Sequence, residues 1–268
     1  MPRLSIATWN INSVRLRAGL VEHLLGSEAP DVLCLQETKC HDAQFPLKLF
    51  EQAGYGHLAI NGQKGYHGVA IASRLPLDLV EKRDFCGKGD ARHIAASVAI
   101  GGRSVRIDNL YVPAGGDEPD PAINDKFAHK LQFLDELEAW IGAGAVAGDR
   151  VVVGDLNIAP FEHDVWSHKQ LLGVVSHTPI ETRRFEEVRN GGRWIDVMRR
   201  FTPEPQKLYT WWSYRAADWA AANKGRRLDH VWASPALEPT LSGARVITQA
   251  RGWEKPSDHA PVIATFEM

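Results

Sequence analysis

Apolar residues in this chain arrive in short, β-branched runs that stop abruptly on polar side chains. Val151-Val152-Val153 stops at Gly154-Asp155-Leu156-Asn157. Valines in a row read as a buried strand, and the glycine marks its end or the close approach of another backbone. If the extended geometry continues past Gly154, alternation puts Asp155 and Asn157 on one side. An Asp and an Asn opening a turn would look the same in isolation. The event recurs, however: apolar runs lead into Trp9-Asn10, Gln36-Glu37 and Asn109-Leu110-Tyr111, while Leu228-Asp229 and Asp258-His259 stand just ahead of Val231-Trp232 and Pro261-Val262-Ile263. A core sheet has no need of acids, amides, a phenol and an imidazole at so many strand ends, whereas a site at the end of a sheet has.

The same patterning predicts the elements. Leu4 to Trp9 and Val32 to Gln36 read as strands, separated by a helix over Leu16 to Leu25 that ends at Gly26 with Pro30 beyond. This β-α-β opening resembles a doubly wound start. Later strands are joined by short turns instead, as where Gly101-Gly102 suits a tight hairpin between Ile94 to Ile100 and Val105 to Leu110. The longest helix expected is Asn124 to Ile141, with Phe127, Leu131, Leu134, Leu137 and Ile141 at helical spacing. An irregular stretch from Asp164 to Pro179 precedes a helix over Thr182 to Val188 and short elements around Trp194 to Phe201. Strands follow at Tyr209 to Tyr214, Leu228 to Ala233, Ala244 to Thr248 and Pro261 to Phe266. No repeat or linker divides the chain, so residues 1–268 are expected to form one α/β domain with mixed sheets.

Composition narrows the chemistry. Lys and Arg number 31 against 33 Asp and Glu, a formal net charge of -2, so any polyanion must be held by local patches rather than a global field. The three cysteines, Cys34, Cys40 and Cys86, have no metal-type spacing and speak for a reducing compartment. Without a signal-like or bilayer-length apolar segment, a soluble cytoplasmic protein is expected.

Taken together, Thr8-Trp9-Asn10-Ile11-Asn12, Leu35-Gln36-Glu37-Thr38-Lys39, Tyr111-Val112-Pro113, Gly154-Asp155-Leu156-Asn157-Ile158, Arg227-Leu228-Asp229 and Lys255-Pro256-Ser257-Asp258-His259-Ala260-Pro261 resemble the exonuclease III / AP endonuclease family of the endonuclease/exonuclease/phosphatase superfamily. The blocks run in order from near residue 5 to the C-terminus, and Gln36-Glu37-Thr38-Lys39 with Ser257-Asp258-His259 favours the DNA-repair branch over lipid or inositol-phosphate phosphodiesterases. The resemblance implies a DNase I-like four-layer sandwich, two mixed β-sheets flanked by helices, with a Mg²⁺ site at one end and Mn²⁺ as a substitute. It implies a monomer acting on duplex DNA with abasic sites or blocked and recessed 3′ ends, as 3′-5′ exonuclease, 3′-phosphatase and AP endonuclease.

The residue types suit that chemistry in their own right. Phosphodiester hydrolysis needs an activated water, neutralised phosphate oxygens and support for a leaving alkoxide. Mg²⁺ takes oxygen ligands and keeps several waters, so one or two carboxylates hold it; Glu37 is the first choice, and the family match adds Asn10 and Asp258. Asp155 is the expected base, with Asn157 donating to the phosphate or orienting Asp155. Asp229 beside His259 follows the logic of a carboxylate that fixes an imidazole tautomer, and the family match turns His259 towards a nonbridging oxygen. Tyr111 is a second donor to that phosphate. For substrate grip the candidates are Lys39, Arg92 and Arg227, with Arg15, Arg17, Lys64, Arg226 and Lys255 in neighbouring loops and Trp211, Trp212 and Trp253 between them; the family match puts Trp211 at the sugar pocket. Departures from the pattern are Asn12 in place of Asp, Ala114 in place of an amide, Asp117 in place of a base, and His177. If His177 narrows the sugar pocket, 3′-end processing should exceed abasic-site incision. A hydrolase of small phosphorylated metabolites or lipid head groups shares the metal chemistry, and a noncatalytic DNA binder would have no use for the base and the oriented histidine.

Overall fold

In a computed structural model, residues 2–142, 148–216 and 218–268 of the chain are described. The strands in chain order are β1 (Arg3–Asn10), β2 (Val32–Gln36), β3 (His57–Asn61), β4 (Val69–Ser73), β5 (Asp78–Glu81), β6 (His93–Ile100) and β7 (Arg103–Tyr111), then β8 (Asp149–Asp155), β9 (Ile195–Asp196), β10 (Trp211–Trp212), β11 (Gly225–Arg226), β12 (Asp229–Ala233), β13 (Leu241–Val246) and β14 (Val262–Glu267). They form two six-stranded sheets, ordered β13-β14-β1-β2-β4-β3 and β5-β6-β7-β8-β12-β9, and a two-stranded ribbon of β10 and β11. Both large sheets are mixed: β1 runs parallel to β2 and β7 to β8, while the other pairings are antiparallel. A parallel pair needs a long crossover, which the helices Ala18–Ser27 and Asp125–Gly142 supply.

The layers follow from alternation along each strand. Leu4 and Ile6 of β1, Val32 and Cys34 of β2, Val105 and Ile107 of β7 and Val151 and Val153 of β8 meet in one core between the sheets. Their neighbours Ala7, Trp9, Leu33 and Leu35 turn outward beneath Val21, Leu24 and Leu25 of the helix Ala18–Ser27. Val152 and Trp232 turn outward on the other side, beneath Phe133, Leu134 and Leu137 of the helix Asp125–Gly142 and Phe185 and Val188 of the helix Pro179–Gly191. Each fully buried side chain of this kind contributes about 1.5–3 kcal/mol, so a one-residue slip that turned a row outward would exceed a domain's whole net stability. Helix, sheet, sheet and helix thus stack as the four-layer sandwich expected. No helix among the described residues is long and apolar enough to cross a membrane.

Four local expectations change. Between Glu37 and Arg92, where the sequence offers no clear period, lie β3, β4, β5 and the short helix Leu47–Gln52; β4 is buried on both faces, so its run Val69-Ala70-Ile71-Ala72 does not alternate. The strand expected over Tyr209 to Tyr214 shrinks to Trp211–Trp212. Leu16 lies outside its helix and is largely exposed. On the long helix the inward position is Lys130, fully buried, while Leu131 is only partly so.

The hairpin glycines do as expected, with φ of +59° and +77° at Gly101 and Gly102. Gly154 holds the tighter constraint. It pairs with Leu110 in the parallel β7/β8 ladder at φ +139°, and a Cβ there would collide with the Leu110 carbonyl oxygen, which is backbone and cannot yield. Gly154→Ala is therefore expected to destabilise by about 3 kcal/mol or more through overpacking and strain, read as a lowered midpoint of thermal unfolding.

Candidate active site

At one end of the sandwich the inward-facing rows of β1, β2, β7, β8 and β12 turn polar. β1 ends its inward row in Thr8 and Asn10, β2 in Gln36, β7 in Asn109 and Tyr111, β8 in Asp155, and β12 begins with Asp229. Register places Asn10 beside Gln36, and Tyr111, Asp155 and Asp229 side by side across three strands. Gln36 ties the sheets together, its amide donating to Thr8 Oγ1 at 2.9 Å and to Asn109 Oδ1 at 2.7 Å. Asn109 in turn donates to the carbonyls of Leu35 and Ala70 at 3.0 and 2.9 Å.

Beyond this layer stand the acids. Asn10 Nδ2 donates to Glu37 Oε1 at 2.8 Å and to Asp155 Oδ2 at 2.9 Å, joining a carboxylate of each sheet. Tyr111 donates its phenol to Glu37 Oε1 at 2.8 Å, and Lys39 Nζ lies 2.7 Å from Glu37 Oε2. Burial works against ionisation of Glu37, but Lys39 and the hydrogen bonds of Asn10, Lys39 and Tyr111 outweigh it and hold the carboxyl below its ordinary value. Burial pushes the Tyr111 phenol well up, with Glu37 and Asp155 adding to it, so the phenol keeps its proton. Lys39 also donates to Asn12 Oδ1 at 2.6 Å, and Asn12 Nδ2 donates to Asp258 Oδ1 at 3.2 Å. An Asp at position 12 could accept from Lys39 but could not donate to Asp258. That departure has a use in this network.

His259 Nδ1 is 2.8 Å from Asp229 Oδ2, and its Nε2 is 3.7 Å from Asp155 Oδ2. Burial alone would pull the imidazole down; Asp229 and Asp155 outweigh it and hold it up at about 10. Burial, and Asp229 beside it, push the Asp155 carboxyl above its ordinary value against the pull of His259, the direction that makes a carboxylate a better base. Asp155, Asp229 and His259 could also be read as a metal cage, since their donor atoms lie within 4.8 Å of one another. With Nδ1 of the imidazole committed to Asp229 and Nε2 facing Asp155, the trio suits proton handling. The oxygens of Glu37, Asn10 and Asp258 suit a hard cation better, and an ammonium, that of Lys39, already rests between Glu37 and the neighbouring Asn12.

Backbone strain gathers at these strand ends. Asn12, Glu37, Lys39, His67, Asn157 and Lys255 all have left-handed φ, between +48° and +58°. The extended geometry supposed to run from Gly154 to Asn157 therefore breaks: β8 stops at Asp155, Asn157 N donates to Asp155 Oδ1 at 3.0 Å, and Asn157 Nδ2 donates to the Val112 carbonyl at 2.9 Å. Both side chains still line one cavity of about 550 Å³, together with Glu37, Tyr111, Asp258 and His259.

Trp211 lines that cavity and donates its indole to Asp258 Oδ2 at 3.0 Å; Ala114, Asp117 and Arg226 line it as well. Other expected contacts are elsewhere. Arg227 is fully buried, 2.9 Å from Asp164 and 2.7 Å from Asp196, and organises the core rather than a substrate. Arg92 is buried, bonded to Asp90 at 3.0 Å with its guanidinium 5.0 Å from the Tyr111 ring centre, so it supports the phenol from behind. His177 is 2% exposed, bonded to the Ala159 carbonyl at 2.6 Å and to His168 at 2.8 Å, and does not line the cavity. It cannot narrow the pocket, and the expected preference for 3′ ends loses that support.

Two supports were not foreseen. Ser257 Oγ donates to the Asn10 carbonyl at 2.7 Å and accepts from His259 N at 3.2 Å, clamping β1 to the histidine turn. Lys130, beneath the cavity, donates to the Asn157 carbonyl at 2.8 Å and pairs with buried Glu181. The signal for Lys130 was present as one charge between Phe127 and Leu134 on an otherwise apolar stripe.

The chain matches the family model described as the endonuclease/exonuclease/phosphatase family over residues 7–259. It is 29% identical to exodeoxyribonuclease III of Haemophilus influenzae, over 98% of this chain and 100% of that protein. Among solved structures it superposes on an AP endonuclease from Archaeoglobus fulgidus with a TM-score of 0.90 at 32% identity, covering 99% of this chain and 100% of that one. A 3′ phosphatase from Neisseria bound to a product DNA hairpin gives 0.90 at 33% identity with the same coverage.

Removing the cation beneath Asn157 strands Glu181 as an unpaired buried charge. Lys130→Met is expected to cost about 3–5 kcal/mol, lowering the thermal midpoint by on the order of 10 °C, as scanning calorimetry would read.

Proposed function

The chain belongs to the endonuclease/exonuclease/phosphatase family, and we propose that it is a DNA-repair phosphodiesterase of the exodeoxyribonuclease III type, built as one catalytic domain. It hydrolyses duplex DNA 5′ to abasic sites and removes nucleotides and blocking groups from 3′ ends. The observation that carries this reading is the meeting, in one cavity, of a buried carboxylate on β8, a histidine backed by a second carboxylate and a separate set of oxygen ligands. The family is metal-dependent, and Mg²⁺ is the ion proposed here. Glu37, Asn10 and Asp258 would hold it, and it would supply charge neutralisation for phosphate oxygens and the leaving alkoxide.

The chain's own groups divide the remaining work. Asp155 takes the proton of the attacking water. Its tendency to hold a proton when buried makes it a stronger base than an exposed carboxylate, and Asn157 N fixes one of its oxygens. His259, its Nδ1 engaged by Asp229, has Nε2–H left for a nonbridging oxygen, since the 3.7 Å to Asp155 is longer than a hydrogen bond. Tyr111 retains its proton as a second donor, and the second amide hydrogen of Asn157 is a third. The donors of His259 and Asn157, preset in a shielded cavity, do not need to reorganise as negative charge grows on the phosphate, whereas Tyr111 must first turn its proton from Glu37 Oε1.

The decisive assay compares duplexes carrying an internal abasic analogue, a recessed 3′-hydroxyl and a 3′-phosphate, each with Mg²⁺ or chelator. Cleavage of none of them, with activity on small phosphate esters undiminished by competing duplex, would replace the DNA reading by a metabolite one. Asp155→Asn is expected to lower turnover by roughly 10²–10⁴-fold or more while DNA affinity stays within a few-fold, because shape is kept and the base is lost. Turnover like the wild type at neutral pH would remove Asp155 from that role. Glu37→Gln should raise the Mg²⁺ concentration needed for half-maximal activity, since an amide is the poorer hard-cation ligand; an unchanged metal titration would place the ligand elsewhere.

A further inference from the structure

Part of the cavity wall is cationic and floored by indoles. Lys224 Nζ lies 4.7 Å from the ring centre of Trp166, the Arg226 guanidinium lies 5.3 Å from that of Trp211, and all four side chains line the cavity. Trp211 pairs with Arg226 across β10 and β11, and an isolated bridge pairs Trp211 with His259. Residues paired directly across strands project to one face, so His259, Trp211 and Arg226 form a row along the cavity. Strands are about 4.8 Å apart, which puts the backbone of Arg226 roughly 10 Å along that row from His259.

The guanidinium of Arg226 is anchored but not neutralised. Its Nη1 donates to the Val175 carbonyl at 3.0 Å and to Ser176 Oγ at 2.8 Å, and among the described residues Nη2 makes no hydrogen bond and no carboxylate forms an ion pair with it. Burial pulls it below its ordinary value; Glu181, the acid acting on it from farther off, is already engaged by Lys130, Ser176 and Thr178. Arg227, the next residue, has two carboxylates. Holding a part-buried cation without an acid is costly, and a group fixed that way beside a reaction centre is matched to an anion that arrives with the substrate. The scissile phosphate belongs to His259, Tyr111 and Asn157. The anion at Arg226 is therefore a second one, a short fragment away.

We infer that Arg226 is a specificity-determining residue, recognising a second anion, carboxylate or phosphate, on the fragment attached to the scissile phosphate. The inference rests on the phosphodiesterase reading above. For a 3′ end whose phosphate is esterified with glycolic acid, the water oxygen bonds to phosphorus and the P–O3′ bond breaks. Its electron pair goes to O3′, which ends with a proton from the water, leaving a 3′-hydroxyl and free phosphoglycolate with both its anions.

The test compares kcat/KM of the whole protein with Mg²⁺ on two duplexes that differ only at the 3′ phosphate, esterified with glycolic acid or with uncharged ethylene glycol. The wild type is expected to favour the acid ester at least tenfold, Arg226→Gln to bring the ratio near one, and Arg226→Lys, which keeps the charge, to retain a preference above threefold. Inhibition by a nucleoside 3′,5′-bisphosphate against the 5′-monophosphate reads the phosphate source: a tenfold advantage for the bisphosphate in the wild type that Arg226→Gln abolishes assigns the subsite to phosphate. A wild type that cleaves both esters within twofold and binds both nucleotides alike overturns the inference, whether or not Arg226→Gln folds. Equal loss on both esters in a folded Arg226→Gln does so too. Failure to cleave either ester or any other duplex would instead overturn the phosphodiesterase reading itself.

Discussion

One amide holds the two halves of the site together. Asn10, at the end of β1, donates both hydrogens of its side chain to carboxylates that come from different sheets, Glu37 and Asp155. Two buried carboxylates facing each other without a donor between them would repel, and each would lose the hydrogen bonds that water gave it; an unsatisfied buried group costs about 1–3 kcal/mol, more when charged. The amide can do this only if the sheets are fixed against each other to within a few tenths of an ångström. The aliphatic rows between the sheets set the separation, and Gln36 and Asn109, bonded across it at 2.7 Å, fix the sliding and rotation at the end that matters. The core thus determines where the acids stand.

The division of charge inside the cavity follows from that placement. Glu37 is kept ionised by Lys39, Asn10 and Tyr111, whereas Asp155 is drawn towards protonation by its burial and by Asp229. Two carboxylates bonded to the same amide therefore have opposite tendencies, one suited to hold a cation and the other to accept a proton. Left-handed backbone at Asn12, Glu37, Lys39 and Asn157 is what aims them; such strain costs of order 1–3 kcal/mol per residue and persists only where surrounding packing over-determines it. At Asn157 part of that packing is Lys130, which holds the strained carbonyl from below.

Much of this was legible in the chain because the signal is a change of character along a strand. A run such as Val151-Val152-Val153 ending in Gly154-Asp155 says that a core stops and something polar begins, and the recurrence of the change at Asn10, Gln36, Tyr111 and Asp229 says that it happens at a common edge. Gly154 reads as the strand's end or a close backbone approach, and the approach is that of the Leu110 carbonyl. What was not legible depended on distant partners. The strand β4 is buried on both sides and shows no period. His177 sits in a loop like any exposed histidine would, and only its bonds to Ala159 and His168 show that it faces inward.

The adjacent arginines at 226 and 227 show why charge is the hardest property to read from a sequence. Their side chains are identical and both stand near the site, yet Arg226 is at the end of β11 facing the cavity, while Arg227 turns the other way into the carboxylates of Asp164 and Asp196. Alternation along the chain makes opposite directions expected for neighbours, but it does not say which neighbour faces which way; the pairing of Trp211 with Arg226 decides that. One arginine is consumed by the fold and the other is left over. A one-residue shift in this two-stranded ribbon that brought Arg227 to the cavity would bring Leu228, which has no charge, to the place Arg227 now fills. The buried acids at 164 and 196 oppose that shift, because without Arg227 Asp196 would lose its ion pair in a buried place and Asp164 would keep only Arg199. The salt-bridged arginine that takes no part in the cavity is in this way what fixes the free one there.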